Sequence, residues 1–499
     1  MRRPLLLCAC VVLAAGPTVL AFASGGYFER PRLIALAVAA VVLTVVALTV
    51  RRPLPCSTAG RAALAALALY AAWVALASTW APVAFDARAD VQRALLYLAT
   101  FAAAAAAWRA RERLTWLEPA LAAGTLIVIG EGLSGRLVPS LIALDRTASA
   151  GGRLEQPLTY WNATGSLAAI GFVLCARLAG EPERRRGVRC AAAAAAVPLA
   201  IGVYLSFSRG ALAALAVGLL VVLLVAPTRP QLRAVAVAVI AGALACAVAG
   251  GADGVRSLQG AGNDRAVQGA GVLGAALALG AFSALLTAAA TRRGGEDVRP
   301  LSLAPWVRPA AIAALIAALA VPVLISGRDH PAAFGATTQR FASASSNRYD
   351  YWRVALDVGA DHPLGGVGPS GFAVQWLQRR TIDEPVRDAH SFELEAFAEL
   401  GLVGFLLALS IIAAAGWAGI RATRRNASLT GGLLAATAVW AVGSAIDWSW
   451  EMPALTLVAV VAAGALAGAV DDRRQPDGGQ DDEPGLRSDA EAREAVGGD

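Results

Sequence analysis

The chain has 499 residues, 57% of them hydrophobic, and a mean hydropathy of +0.58, which sets it apart from soluble domains at ~45–50% apolar content. Its net charge of +7 is arginine against acid, with no lysine. In so apolar a chain, that balance reads as a membrane-topology signal and not as affinity for nucleic acid.

Apolar runs near 20 residues recur along the chain, each long enough to cross a bilayer as a helix. The expected fold is therefore all-α: a polytopic transmembrane bundle of about 12–14 spans with a large, partly helical extracytoplasmic loop. Candidate spans are 5–23, 33–50, 62–80, 93–107, 116–133, 163–178, 188–205, 210–226, 232–250, 270–290, 307–325, 395–418, 428–446 and 453–470. The expected organisation is helices over 1–325, an outer loop over 326–394, three helices over 395–470 and an acidic, disordered cytoplasmic tail over 471–499. Arginines concentrate in one set of alternate short loops, such as Arg51 and Arg52, Arg109 to Arg113, and Arg184 to Arg189. With the positive loops inside, both termini are expected to be cytoplasmic and the 326–394 loop outside. The six cysteines lie in spans or inner loops, so no disulfide or thiolate metal site is expected.

Two short outer segments carry polar residues. In 151–165 (GGRLEQPLTYWNATG), Asn162 sits near a helix start, where its side chain can cap the helix. Between the seventh and eighth spans the whole connection is Ser206-Phe207-Ser208-Arg209-Gly210. A link this short holds Arg209 at the outer surface, against the topological bias, which argues for an anionic partner.

The long polar segment 326–401 gathers all three histidines, His330, His362 and His390, and seven arginines including Arg348, Arg353 and Arg387. Residues 347–360 form an amphipathic helix pattern, with Arg348 and Trp352 on one face. His362-Pro363-Leu364-Gly365-Gly366-Val367-Gly368-Pro369 is a run of turn formers, and His362 and His330, each before proline, read as structural. From His390 onward no proline interrupts the pattern, so one continuous helix is expected to about residue 418. An upright helix of that length would lift His390 up to ~15 Å above the hydrocarbon edge, into the zone of lipid phosphates.

Three motifs carry a resemblance: Arg209 in SFSRGAL, Arg348 four residues before Trp352 and followed by ALDVGADHPLGGVGPSGF, and His390 in AHSFELEAFAELGLVG. Together they resemble the O-antigen ligase and polymerase superfamily, bacterial membrane enzymes acting on lipid-linked glycans. Ser391 stands where many members have asparagine, and fourteen spans exceed the usual dozen. The resemblance implies a bundle similar to GT-C glycosyltransferases. It also implies transfer of a glycan from an undecaprenyl-pyrophosphate donor to the hydroxyl of a lipid, glycan or protein, at the outer membrane face. Arg209, Arg348 and His390 are then the catalytic residues, with Arg209, Arg348, Arg353 and Asn162 on the substrate. Two guanidiniums suit a diphosphate, and an imidazole suits the acceptor's proton; direct attack inverts the anomeric centre. No paired outer carboxylates or P-loop pattern appear, so neither a divalent metal nor another cofactor is expected. Repeat-unit polymerisation uses the same donor chemistry and stays open. A transporter is disfavoured, because the spans are nearly free of charge and no repeat is evident.

Overall fold

The apolar runs fold as helices, for a lipid-exposed backbone must satisfy its own hydrogen bonds. The computed structural model describes residues 2–292, 299, 301–302, 304–307, 309–313, 335–337 and 346–471. Among them are helices and no strand. In chain order they are α1 (Arg2–Ala21), α2 (Glu29–Thr49), α3 (Thr58–Ala77), α4 (Ala84–Ala107), α5 (Arg111–Leu137), α6 (Trp161–Gly180), α7 (Arg186–Leu205), α8 (Arg209–Val225), α9 (Arg229–Gly251), α10 (Asp253–Arg256) and α11 (Gly262–Arg292). Then come α12 (Arg348–Asp361), α13 (Phe372–Arg379), α14 (Phe392–Ala445) and α15 (Pro453–Ala469). Nine of the described helices are long and apolar enough to cross a membrane, and α8 and α15 are shorter apolar helices of the same kind. The chain is thus an all-α polytopic membrane protein. Most of the candidate span at 307–325, His330, Arg328, Arg340 and the tail after Asp471 lie outside the described residues.

Helix α6 is the axis of the bundle. Every residue from Asn162 to Gly180 is buried, against α5, α7, α8, α9 and α14. Small residues permit this: a Cβ on Gly165 would meet the Ser206 side chain at 2.4 Å, and one on Gly171 would meet Thr125 at 2.3 Å. Away from the long polar segment, the bundle is closed by ion pairs. Arg184 meets Glu118 at 2.9 Å, Arg177 pairs with Glu181 and donates to Gln231, and Asp471 accepts from the Cys56 and Ser57 amides. Helix α4 starts nine residues earlier than the sequence pattern gives. Its polar first turns stay helical because Arg93 pairs with Asp90 and, at 3.0 Å, with Glu451.

The expected unbroken helix from His390 is not what forms. Ser391 caps α14, its hydroxyl accepting from the Leu394 amide at 3.4 Å, and His390 lies before the cap with φ +57°. The helix then breaks at Gly401 (φ +66°, ψ −165°) and again at Asn426. Residues 392–400 are therefore a separate short helix, and the ~15 Å elevation does not apply. The glycine- and proline-rich turn after α12 supplies what the break leaves unpaired. The Val367 and Gly368 amides donate to the carbonyls of Ala398 and Glu399, and the Leu402 amide donates to the Pro363 carbonyl. Gly401 has to be glycine twice over, since its φ is positive and a Cβ would sit 2.3 Å from the Leu364 carbonyl oxygen.

Helices α12 and α13 pack over this short helix. Tyr351, Val354, Val358, Phe372, Trp376 and Ala398 form a small apolar core there, separate from the bundle's own.

Candidate active site

Arg209 is the first residue of α8. Its position is set by the tight link before it, where Ser208 caps the helix by accepting from the Ala211 amide at 3.2 Å and Ser206 holds the Ser208 amide. The guanidinium and the positive end of α8 therefore reach the same space, which favours an anion. Arg348 is the first residue of α12. It pairs with Asp447, at the end of α14, at 2.5 Å. That carboxylate also accepts from Asn162 at 2.8 Å and from the Tyr160 hydroxyl at 3.0 Å, and it caps the turn at Ser449. Asp447 is 4% exposed, so its charge is held by four donors and fixes where Arg348 points.

His390 is held from three sides. Its Nδ1 lies 2.9 Å from the Asp388 carbonyl oxygen, its ring meets Tyr351 at 5.1 Å between centroids, and its own carbonyl faces the Trp352 indole N–H at 3.4 Å. A proton on Nδ1 donated to that carbonyl leaves the Nε2 lone pair free. Burial, then the Arg348 charge, lowers the His390 pKa to about 4, with Asp447 opposing. The imidazole is therefore neutral at physiological pH. The loop that carries it is pinned by Glu384, which accepts from Tyr351 at 2.7 Å and from Asn347 at 2.6 Å.

One cavity of about 750 Å³ is lined by Arg209, Arg348, His390 and Asn162 together. They come from four separate parts of the chain. Asn162 does not cap α6: it is the second residue of that helix, and its amide goes to Asp447 and Tyr160 instead. Arg353 is not brought in; it is exposed on the outer side of α12 and does not line the cavity. His362 ends α12 and takes part in the turn through its backbone, as a structural residue would.

Sequence reasoning missed several wall residues. Asp447 directly follows the candidate span 428–446, where the sequence shows only a charge at a boundary. Tyr160 stacks on Trp448 at 4.1 Å, and Arg153 lies 3.5 Å over the Trp161 ring. A signal existed: an acid followed by Trp-Ser-Trp-Glu between two apolar spans is unusual where charge is costly. A second group was also not legible. Ligand atoms of Asp388, Glu395 and Glu451 lie within 4.8 Å of one another, the one described set with metal-ligand spacing. Positive charge there comes from Arg93, whose guanidinium contacts Glu451 and Asp90.

No curated protein matches the chain by sequence. Residues 194–409, from α7 to the second part of α14, match the family model described as O-Antigen ligase. Over this stretch, a little under half of its length, the chain is similar to the O-antigen ligase superfamily. The matched stretch contains Arg209, Arg348 and His390, while Asn162 and Asp447 fall outside it. The match supports a ligase- or polymerase-like role in glycan processing at a membrane.

Proposed function

We propose that the protein transfers a glycan from a polyprenyl-diphosphate donor, undecaprenyl pyrophosphate in a bacterium, to an acceptor hydroxyl at the outer face of the cytoplasmic membrane. The observation that carries this reading is the convergence of Arg209, Arg348 and His390 on one cavity. Two guanidiniums and the positive end of α8 suit a diphosphate, each charge-assisted hydrogen bond contributing about 1.5–3 kcal/mol. In the reaction, the acceptor oxygen bonds to the anomeric carbon as the bond from that carbon to the diphosphate oxygen breaks. The diphosphate leaves with the electron pair, held by the arginines. His390 Nε2 takes the acceptor's proton, a contribution of about 10²–10⁴-fold. The resulting imidazolium is stabilised by the newly released diphosphate and by Asp447. Attack opposite the leaving group inverts the anomeric centre. Asn162 acts through Asp447, keeping Arg348 in place, and Arg353 is left without a role.

The test is product analysis with purified protein in lipid nanodiscs and a polyprenyl-diphosphate glycan. Released polyprenyl diphosphate and a glycosylated acceptor are expected, with the linkage inverted. Lengthened glycans from donor alone would make the protein a polymerase of the same chemistry. Donor that only crosses the bilayer, with no bond broken, would overturn the reading in favour of transport.

A further inference from the structure

Inside the bundle lies a second cavity, of about 300 Å³, between α3, α4, α14 and α15. Its walls are apolar, with Leu67, Val74, Phe101, Ile411, Leu434 and Val460 among them. One end is different. Asp90, Glu395 and Glu399 line it, and the latter two also line a polar compartment that continues to Asp388 and Arg387. Asp388 and Arg387 in turn line the cavity of Arg209, Arg348 and His390. The polar compartment thus shares wall residues with both the apolar cavity and the candidate active site. Glu395 accepts from the Ala389 amide at 2.8 Å, which puts this acidic end one residue from His390 along the chain.

One polar group in the cavity wall is unanswered among the described residues. The Trp450 indole N–H is buried with no hydrogen-bond partner among the described residues. Tyr70, 7% exposed and packed on Phe392, places its hydroxyl-bearing ring in the same wall. Unpaired buried donors are uncommon and call for an occupant. An alkyl chain suits the walls, and a head rich in hydroxyls suits the donors and carboxylates at the end. A phosphorylated head does not, because the cavity is lined by the carboxyls of Asp90, Glu395 and Glu399 and, among the described residues, by no arginine. The two cavities are therefore opposite in charge preference, one cationic and one acidic.

We propose that the apolar cavity is the acceptor's lipid site, taking one alkyl chain of an amphiphile whose head is hydroxylated and free of phosphate. The acceptor role rests on the transfer reading above; the ligand class rests on the cavity alone. The head lies among Asp90, Glu395 and Trp450 and presents a hydroxyl toward His390 from the side opposite the donor's diphosphate.

The test uses the full-length protein in nanodiscs and a photoreactive dodecyl glucoside. Labelling is expected on α3, α14 and α15, chased by unlabelled dodecyl glucoside and at least about ten-fold more weakly by dodecyl phosphate. Ala438→Phe, at the cavity wall, is expected to cut labelling by about ten-fold or more with the thermal unfolding midpoint kept. Ala441→Leu, a smaller plug in the same wall, serves as the second variant. Equal competition by the phosphate, or labelling indifferent to both plugs, would overturn the ligand class. With donor present, wild type should glycosylate the glucoside. Transfer to some other acceptor but never to the bound glucoside would overturn the acceptor role. Intact labelling with no transfer to any hydroxyl would instead remove the transfer reading and leave the ligand class standing.

Discussion

His390 sits at φ +57°, a conformation that costs a non-glycine residue about 1–3 kcal/mol and needs fixing by its surroundings. Asp388, Tyr351, Trp352 and the Ser391 cap supply that. The result is an imidazole aimed into the cavity with its tautomer set. Its pKa is lowered to about 4, so it is the proton-free base above that value and loses its function as pH falls through it. The free enzyme's pKa governs kcat/KM, whereas the donor-bound enzyme's governs kcat. A bound diphosphate stabilises the imidazolium and raises the pKa. The pH–rate profile should therefore show kcat/KM holding down to about pH 5, with the acid limb of kcat lying higher. An acid limb of kcat/KM at or above pH 6.5 would contradict the assignment of His390 as base. Asp447 was hidden in the sequence for a physical reason: its partners Tyr160, Asn162 and Arg348 lie up to 287 residues away. Arg209 was legible because a five-residue link leaves it nowhere else to go.

At the scale of elements, the decisive feature is the break in α14. The apolar pattern after His390 gave the right residues and the wrong geometry, because a helix pattern does not reveal a glycine held at positive φ by a neighbouring turn. The turn 362–369 and Gly401 were each visible; their contact, 35 or more residues apart, was not. That contact makes a direct prediction. Gly401→Ala forces a Cβ against the Leu364 carbonyl and an unfavourable φ, and should lower stability by about 1–3 kcal/mol or more, read as a drop in the unfolding midpoint. Gly274→Ala in α11, where a Cβ meets nothing within 4 Å, is the control and should leave the midpoint in place. Equal behaviour of the two variants would show that the break does not depend on Gly401.

For the molecule as a whole, composition and span spacing were enough to give an all-α membrane bundle. They did not give its internal arrangement, since an apolar face looks the same whether it meets lipid or α6. The proposed orientation, which rests on the arginine bias, puts the α12 end outside and the Arg111 end inside. In a cysteine-free background, Arg353→Cys should react with an impermeant maleimide on intact cells. Arg111→Cys, 65% exposed at the other end, should react only after permeabilisation. The reverse pattern would place the cavity on the cytoplasmic side and remove the outer-face assignment.

The central claim is that a cationic pair holds the diphosphate while a neutral imidazole takes the proton. It is tested most directly by the single-turnover rate of glycan transfer in nanodiscs, with donor binding measured alongside. His390→Ala should bind donor like wild type and transfer about 10²–10⁴-fold more slowly. Arg209→Ala and Arg348→Ala should lose donor binding as well. Transfer at the wild-type rate by His390→Ala would contradict the account.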